Sequence, residues 1–166
     1  MLKKMIGALL VLLLGFSAPA PAYSEPSMIQ KQLQARMTYE LNDWGCMDIV
    51  ANDCKKNNLP VPKKVVAMIL RHNLRECIVG ISFSSYVPPE TAYRIAEFAI
   101  DSIIHASKSI SPESLADFTI IAVPFDMTNK KAVYDGRGSI VKNGEKSYYS
   151  IPKEKVAHLL AKVLNL

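Results

Sequence analysis

Cys46, Cys54 and Cys77 carry the most reactive atoms of this chain, and their spacing limits what they can do. The gaps of eight and twenty-three residues fit no common zinc signature, and no Cys-x-x-Cys occurs. A Cys–His pair is the minimum for thiol hydrolysis. Cys46 follows Trp44-Gly45, and the chain has three histidines, His72, His105 and His158. No local signature of a catalytic cysteine surrounds any of the three thiols, so the favoured reading is structural. If residues 28–54 form one helix, Cys46 and Cys54 stand about 12 Å apart along its axis, beyond the ~7 Å Cα limit for a disulfide. Cys54 and Cys77 are then the favoured pair, with Cys46 as the spare thiol; a bridge from Cys46 to either partner and three free thiols are the alternatives. A Cys54–Cys77 bridge closes a loop of about 24 residues and contributes roughly 3 kcal/mol in the loop-entropy treatment.

Three polar constellations come next. Arg94, Glu97, Asp101, His105 and Lys108 recur at steps of three and four. Glu97, Asp101 and His105 could share a metal, but a solvated ladder of i,i+4 pairs is the favoured reading. Arg71-His72-Asn73-Leu74-Arg75 could receive an anionic ligand through Arg71, His72 and Arg75, although charges beside a strand are ordinary. Asp126-Met127-Thr128-Asn129 and Asp135-Gly136-Arg137-Gly138 could gather Asp126, Asp135 and Arg137 around a cation or partner, although these residue types are also what turns use. No Gly-x-Ser-x-Gly elbow, His-Glu-x-x-His helix or phosphate loop is present. No catalytic or metal constellation and no cofactor is assigned from the sequence.

The elements that position these residues follow from periodicity. Ile29, Leu33, Met37, Leu41, Trp44, Met47, Val50 or Ala51, and Cys54 mark one helix face over residues 28–54, with Gly45 as a point of bending or breakage. Leu59-Pro60-Val61-Pro62 reads as an extended linker. Residues 63–73 fit a short helix or a strand, and Pro62 favours the helix, so 28–73 is expected to be mainly helical. Strands are expected over 77–86, 118–125 and 145–150, with further strand material at 131–134 and 139–142, and Asn143-Gly144 is a hairpin signal. Residues 89–108 form the clearest amphipathic helix. Ser111-Pro112 starts a short helical turn, and 152–164 is the last helix. The order predicts an α+β fold: a two-layer sandwich with a small, mostly antiparallel sheet of about four strands in a β-α-β-β-β core, helices on one face, and an N-terminal helical segment.

The chain begins Met1-Leu2-Lys3-Lys4, continues through an uncharged apolar run to Phe16, and reaches Ala20-Pro21-Ala22. That order is signal-peptide grammar, with cleavage after Ala22. The apolar run is shorter than the roughly 20 residues a membrane span needs, so no stable span is expected after cleavage. The mature chain, residues 23–166, is one domain's worth of sequence. Loss of Lys3 and Lys4 lowers the formal net charge from +5 to +3. The remaining lysines are scattered, which argues against a nucleic-acid partner. The expectation is a periplasmic or secreted, non-enzymatic interaction module whose partner is another envelope or secreted protein. The alternatives are a small exported hydrolase using a cysteine or Asp-loop residue, and an immunity or inhibitor protein.

Overall fold

The structure, a computed structural model, describes residues 28–43, 45–73, 75–110, 118–126, 129, 131–142 and 145–165. The expected signal segment with its Ala22 cleavage point, the turn of helix after Ser111 and the Asn143-Gly144 turn lie outside these residues. The elements run α1 (Met28–Asp43), α2 (Cys46–Lys56), β1 (Val65–His72), β2 (Glu76–Phe83), α3 (Pro89–Ile110), β3 (Phe118–Asp126), β4 (Gly136–Lys142), β5 (Glu145–Ile151) and α4 (Lys153–Leu164).

The α+β class holds, with five strands among the described residues rather than about four, in the order β1-β2-β3-β4-β5. β2 and β3 are parallel and joined by α3, and every other neighbouring pair is antiparallel. Interior β2 is buried along nearly its whole length, as a strand covered on both faces must be. Its odd-numbered residues, Cys77, Val79, Ile81 and Phe83, pack with α1, α2 and α3. Ile78 packs on the opposite face with Val123, Phe125, Val156 and Leu160. Three helices therefore cover one face and α4 the other, whereas the sequence reading placed the helices on one face.

Two local readings change. Residues 65–72 are a strand, not helix: Val65 and Ala67 face the α1–α3 core while Met68 and Leu70 face the α4 side. Pairing with β2 decides a run whose periodicity is ambiguous. The material at 131–134 reduces to one bridge between Asp126 and Lys131, and β4 begins at Gly136. There the Gly-Arg-Gly segment is strand because its glycines admit close neighbours. A Cβ on Gly136 would meet Val156 of α4 at 3.0 Å, and one on Gly138 would overlap the Tyr149 ring. The break allowed at Gly45 is realised: that residue has φ 73°, a left-handed conformation open to glycine, and α1 and α2 separate there.

Candidate functional site

The polar residues of α3 are fasteners. Arg94 pairs with Asp53 at the end of α2, and Thr91 Oγ1 donates to the same carboxylate at 2.9 Å. Glu97 meets Arg137 of β4 at 3.4 Å, an ionic contact without hydrogen-bond geometry. Asp101 Oδ1 accepts from Lys146 Nζ at 2.6 Å and the Tyr148 hydroxyl at 2.5 Å, both on β5. His105 Nδ1 lies 3.0 Å from Glu40 Oε1 on α1. The expected i,i+4 ladder is thus replaced by contacts to four other elements, and Glu97, Asp101 and His105 do not converge. No group of three His, Cys, Asp or Glu that could hold a metal occurs among the described residues.

Glu40 is the most deeply placed charge of this network, at 1% exposure. It also accepts from Arg36 Nε at 2.6 Å and Ser102 Oγ at 2.8 Å. Burial opposes its ionisation, but the hydrogen bonds from Arg36, Ser102 and His105 outweigh it and hold the carboxyl below its usual range. The cluster ties α1 to α3. Ser102 is fully buried, which denies it the access a nucleophile needs.

The three cysteines are free and fully buried. The expected Cys54–Cys77 bridge is not formed, and the fold explains why. Cys54 lies in the last turn of α2, next to Asp53, which binds the first turns of α3 and so sits at the end of β2 that leads into α3. Cys77 is at the other end of that strand, paired with His72 and Ile120. Six residue steps run from Cys77 to Phe83, about 20 Å at 3.3 Å per residue. The α2 terminus is closed instead by the Leu59 N–H donating to the Cys54 carbonyl at 2.8 Å. Burial pushes the Cys46 thiol up to about 11 and the Cys77 thiol up to about 12. Neither is a nucleophile at neutral pH.

The remaining predicted residues have structural partners of their own. Arg71 pairs with Glu76 at 2.5 Å across the β1–β2 hairpin. The His72 ring lies 6.0 Å from Phe118, and burial lowers its pKa. The Arg75 N–H donates to Asn73 Oδ1 at 3.0 Å, while Arg71 and His72 lie in β1. Asp126 Oδ2 accepts from Asn129 Nδ2 at 2.6 Å. It lines a cavity of about 240 Å³ with Ser84, Ser85, Tyr86 and Tyr134, and no histidine lines it. Asp135 binds elsewhere: it accepts the Lys153 N–H at 2.8 Å, which fixes the start of α4, and hydrogen-bonds Tyr93. The Arg137 guanidinium lies over the Tyr93 ring at 4.9 Å and bonds Ser150. Among the described residues, Asp126 and Asp135 thus take different partners.

Sequence reasoning missed the sheet edges. β1 is protected: its pairing shifts register between Ile69 and Arg71, and the Ile69 N–H donates to Gln34 Oε1 of α1 at 3.1 Å. Among the described residues β5 has neither a register shift nor a side-chain cap of this kind. Six of its seven residues are exposed, and its ladder with β4 is continuous from Glu145 to Ile151 without a bulge or proline. The unbroken polar run Glu145-Lys-Ser-Tyr-Tyr-Ser150 was the available signal, since a strand polar on both faces belongs at an edge. Beside it lies an open groove of about 650 Å³, between Tyr149, Ile151 and Ile121 on the sheet and Lys155, His158, Leu159 and Lys162 on α4. No family model, characterised protein or solved structure matches the chain, so the edge and groove have to be interpreted from their own chemistry.

Proposed function

We propose that this chain is an exported binding module of the cell envelope, which holds another protein by adding an extended segment of it to the β5 edge. The observation that carries the reading is the contrast between the two edges: β1 is bulged and capped by Gln34, whereas β5 is regular and uncovered among the described residues. Unpaired edge groups are a template for strand addition, in which main-chain hydrogen bonds give affinity and alternate side chains give specificity. The leader-like start at Met1 to Ala22 supports the envelope as the place of action. The buried thiols give a cysteine hydrolase no reactive group.

The test is site-directed photocrosslinking in cells that make the chain with its own leader. A photoreactive side chain at Ser147 on β5 should give one dominant protein adduct, and the same group at Val66 on β1 should not. Equal adducts from both positions would sink the edge-specific reading. N-terminal sequencing of the same material should find Tyr23 first.

A further inference from the structure

We infer that the segment accepted at β5 is acidic, a strand in which carboxylates alternate with apolar side chains and face the Lys155–His158–Lys162 side of α4. The inference rests on the strand-addition reading and specifies its partner. β5 passes into α4 through Pro152 alone, so edge and groove share Tyr149, Ser150, Ile151 and Pro152. Lys155, His158 and Lys162 recur at three- and four-residue steps and form one wall of the groove. Every described ion pair of the domain lies elsewhere, so neither lysine of this wall has an acidic partner among the described residues. Glu154 is the lone carboxylate of the lining.

The floor is apolar, formed by Ile121, Ile151 and Leu159, and Tyr149 is held over Gly138 as the opposite wall. None of the charged lining side chains is buried, so the trough suits an extended chain better than an enclosed small molecule. Side chains of an added strand stand about 4.8 Å beyond β5. Side chains of a strand alternate between faces, so the carboxylates of such a segment share the α4 face, toward the lysines, and its apolar residues fall on the α3 face beside Tyr148. The cationic mature chain favours encounter with such a segment.

The test titrates three fluorescein-labelled heptapeptides into the mature domain and reads anisotropy: alternating Glu and Val, alternating Lys and Val, and the Glu–Val peptide with alternate backbone nitrogens methylated. The Glu–Val peptide should bind and the Lys–Val peptide should not. The double variant Lys155→Glu/Lys162→Glu, both exposed sites whose folding is checked by circular dichroism, should weaken binding about tenfold, and added salt should weaken it further. Equal binding of both charge types, an unchanged affinity in the double variant, or no binding up to about 1 mM, the weak end of specific affinity, overturns the acidic-segment inference. Backbone methylation separates the two layers of the reading. If methylation abolishes binding and charge reversal does nothing, strand addition stands and the acidic preference falls. If methylation does nothing and charge reversal weakens binding, strand addition falls and with it the placement at β5.

Discussion

Tyr149 of β5 sits directly over Gly138 of β4, so a methyl group at position 138 and the phenol ring cannot share that space. Tyr149 is 39% exposed, and the far end of its ring is what the new methyl would strike, so the ring can swing away toward solvent. Gly138→Ala should therefore cost about 1 kcal/mol, the low end for overpacking, while opening the wall of the α4 groove. In a Tyr149→Ala background the same substitution should cost nothing further. Urea denaturation of the four proteins of this double-mutant cycle checks the coupling, and an additive cycle would show that Tyr149 does not depend on Gly138.

Acid should loosen the domain in two stages. Burial lowers the pKa of His72 from 6.5, so the unfolded chain binds more protons there and stability declines as pH falls below about 6.5. Glu40 has the opposite charge type and the same direction of effect. Its carboxyl titrates below the ordinary 4.5, so its contribution is complete above that value and is lost as pH falls through the lower, folded-state pKa. Glu40→Gln should lose stability at neutral pH and flatten the acid limb below about 4.5. His72→Phe should flatten only the limb that begins near 6.5. Unfolding free energies measured across pH for the three proteins check both, and an unchanged acid limb in Glu40→Gln would remove the α1–α3 carboxylate from the account.

How much of this was legible in the sequence depends on where each signal came from. The α3 stripe of Ala92, Ile95, Ala96, Ala99 and Ile100 was readable because every one of those positions is buried, so periodicity and packing agree. Val65 to His72 was not, because a short apolar run fits helix and strand alike until β2 pairs with it. The partners of Arg94, Glu97, Asp101 and His105 were also hidden. Their spacing matches an i,i+4 ladder, and only the tertiary fold brings Asp53, Arg137, Lys146 and Glu40 within reach. The separation of Cys54 from Cys77 was hidden for the same reason: the spacing in sequence does not reveal that the two lie toward opposite ends of β2.

The buried thiols make a chemical prediction. Cys46, Cys54 and Cys77 have no exposed surface, and burial raises all three pKa values. Native protein at neutral pH should react with a thiol reagent such as dithionitrobenzoate only on the timescale of unfolding, and then at all three sites together. Mass spectrometry of the labelled protein against denaturant concentration checks this. A single site that reacts fast without denaturant would restore the case for a functional cysteine, and a native mass lower by two hydrogens would reveal a bridge.

Ser139 gives the last prediction. It lies on β4 between Ile120 of β3 and Tyr148 of β5, is 0% exposed, and its hydroxyl has no hydrogen-bond partner among the described residues. A buried donor left without a partner costs about 1–3 kcal/mol relative to one that is satisfied, and removing it recovers part of that cost. Ser139→Ala should leave stability unchanged or raise it by about 1 kcal/mol, against the usual direction of a core truncation. The contrast with Ser102→Ala sharpens the test. Ser102 is equally buried, but its hydroxyl donates to Glu40 Oε2, so its loss should destabilise by about 1–2 kcal/mol, the range for hydrogen bonds to charged groups. Chemical denaturation should show a loss for Ser102→Ala and none for Ser139→Ala, and a clear loss for Ser139→Ala would show that its hydroxyl has a native partner after all.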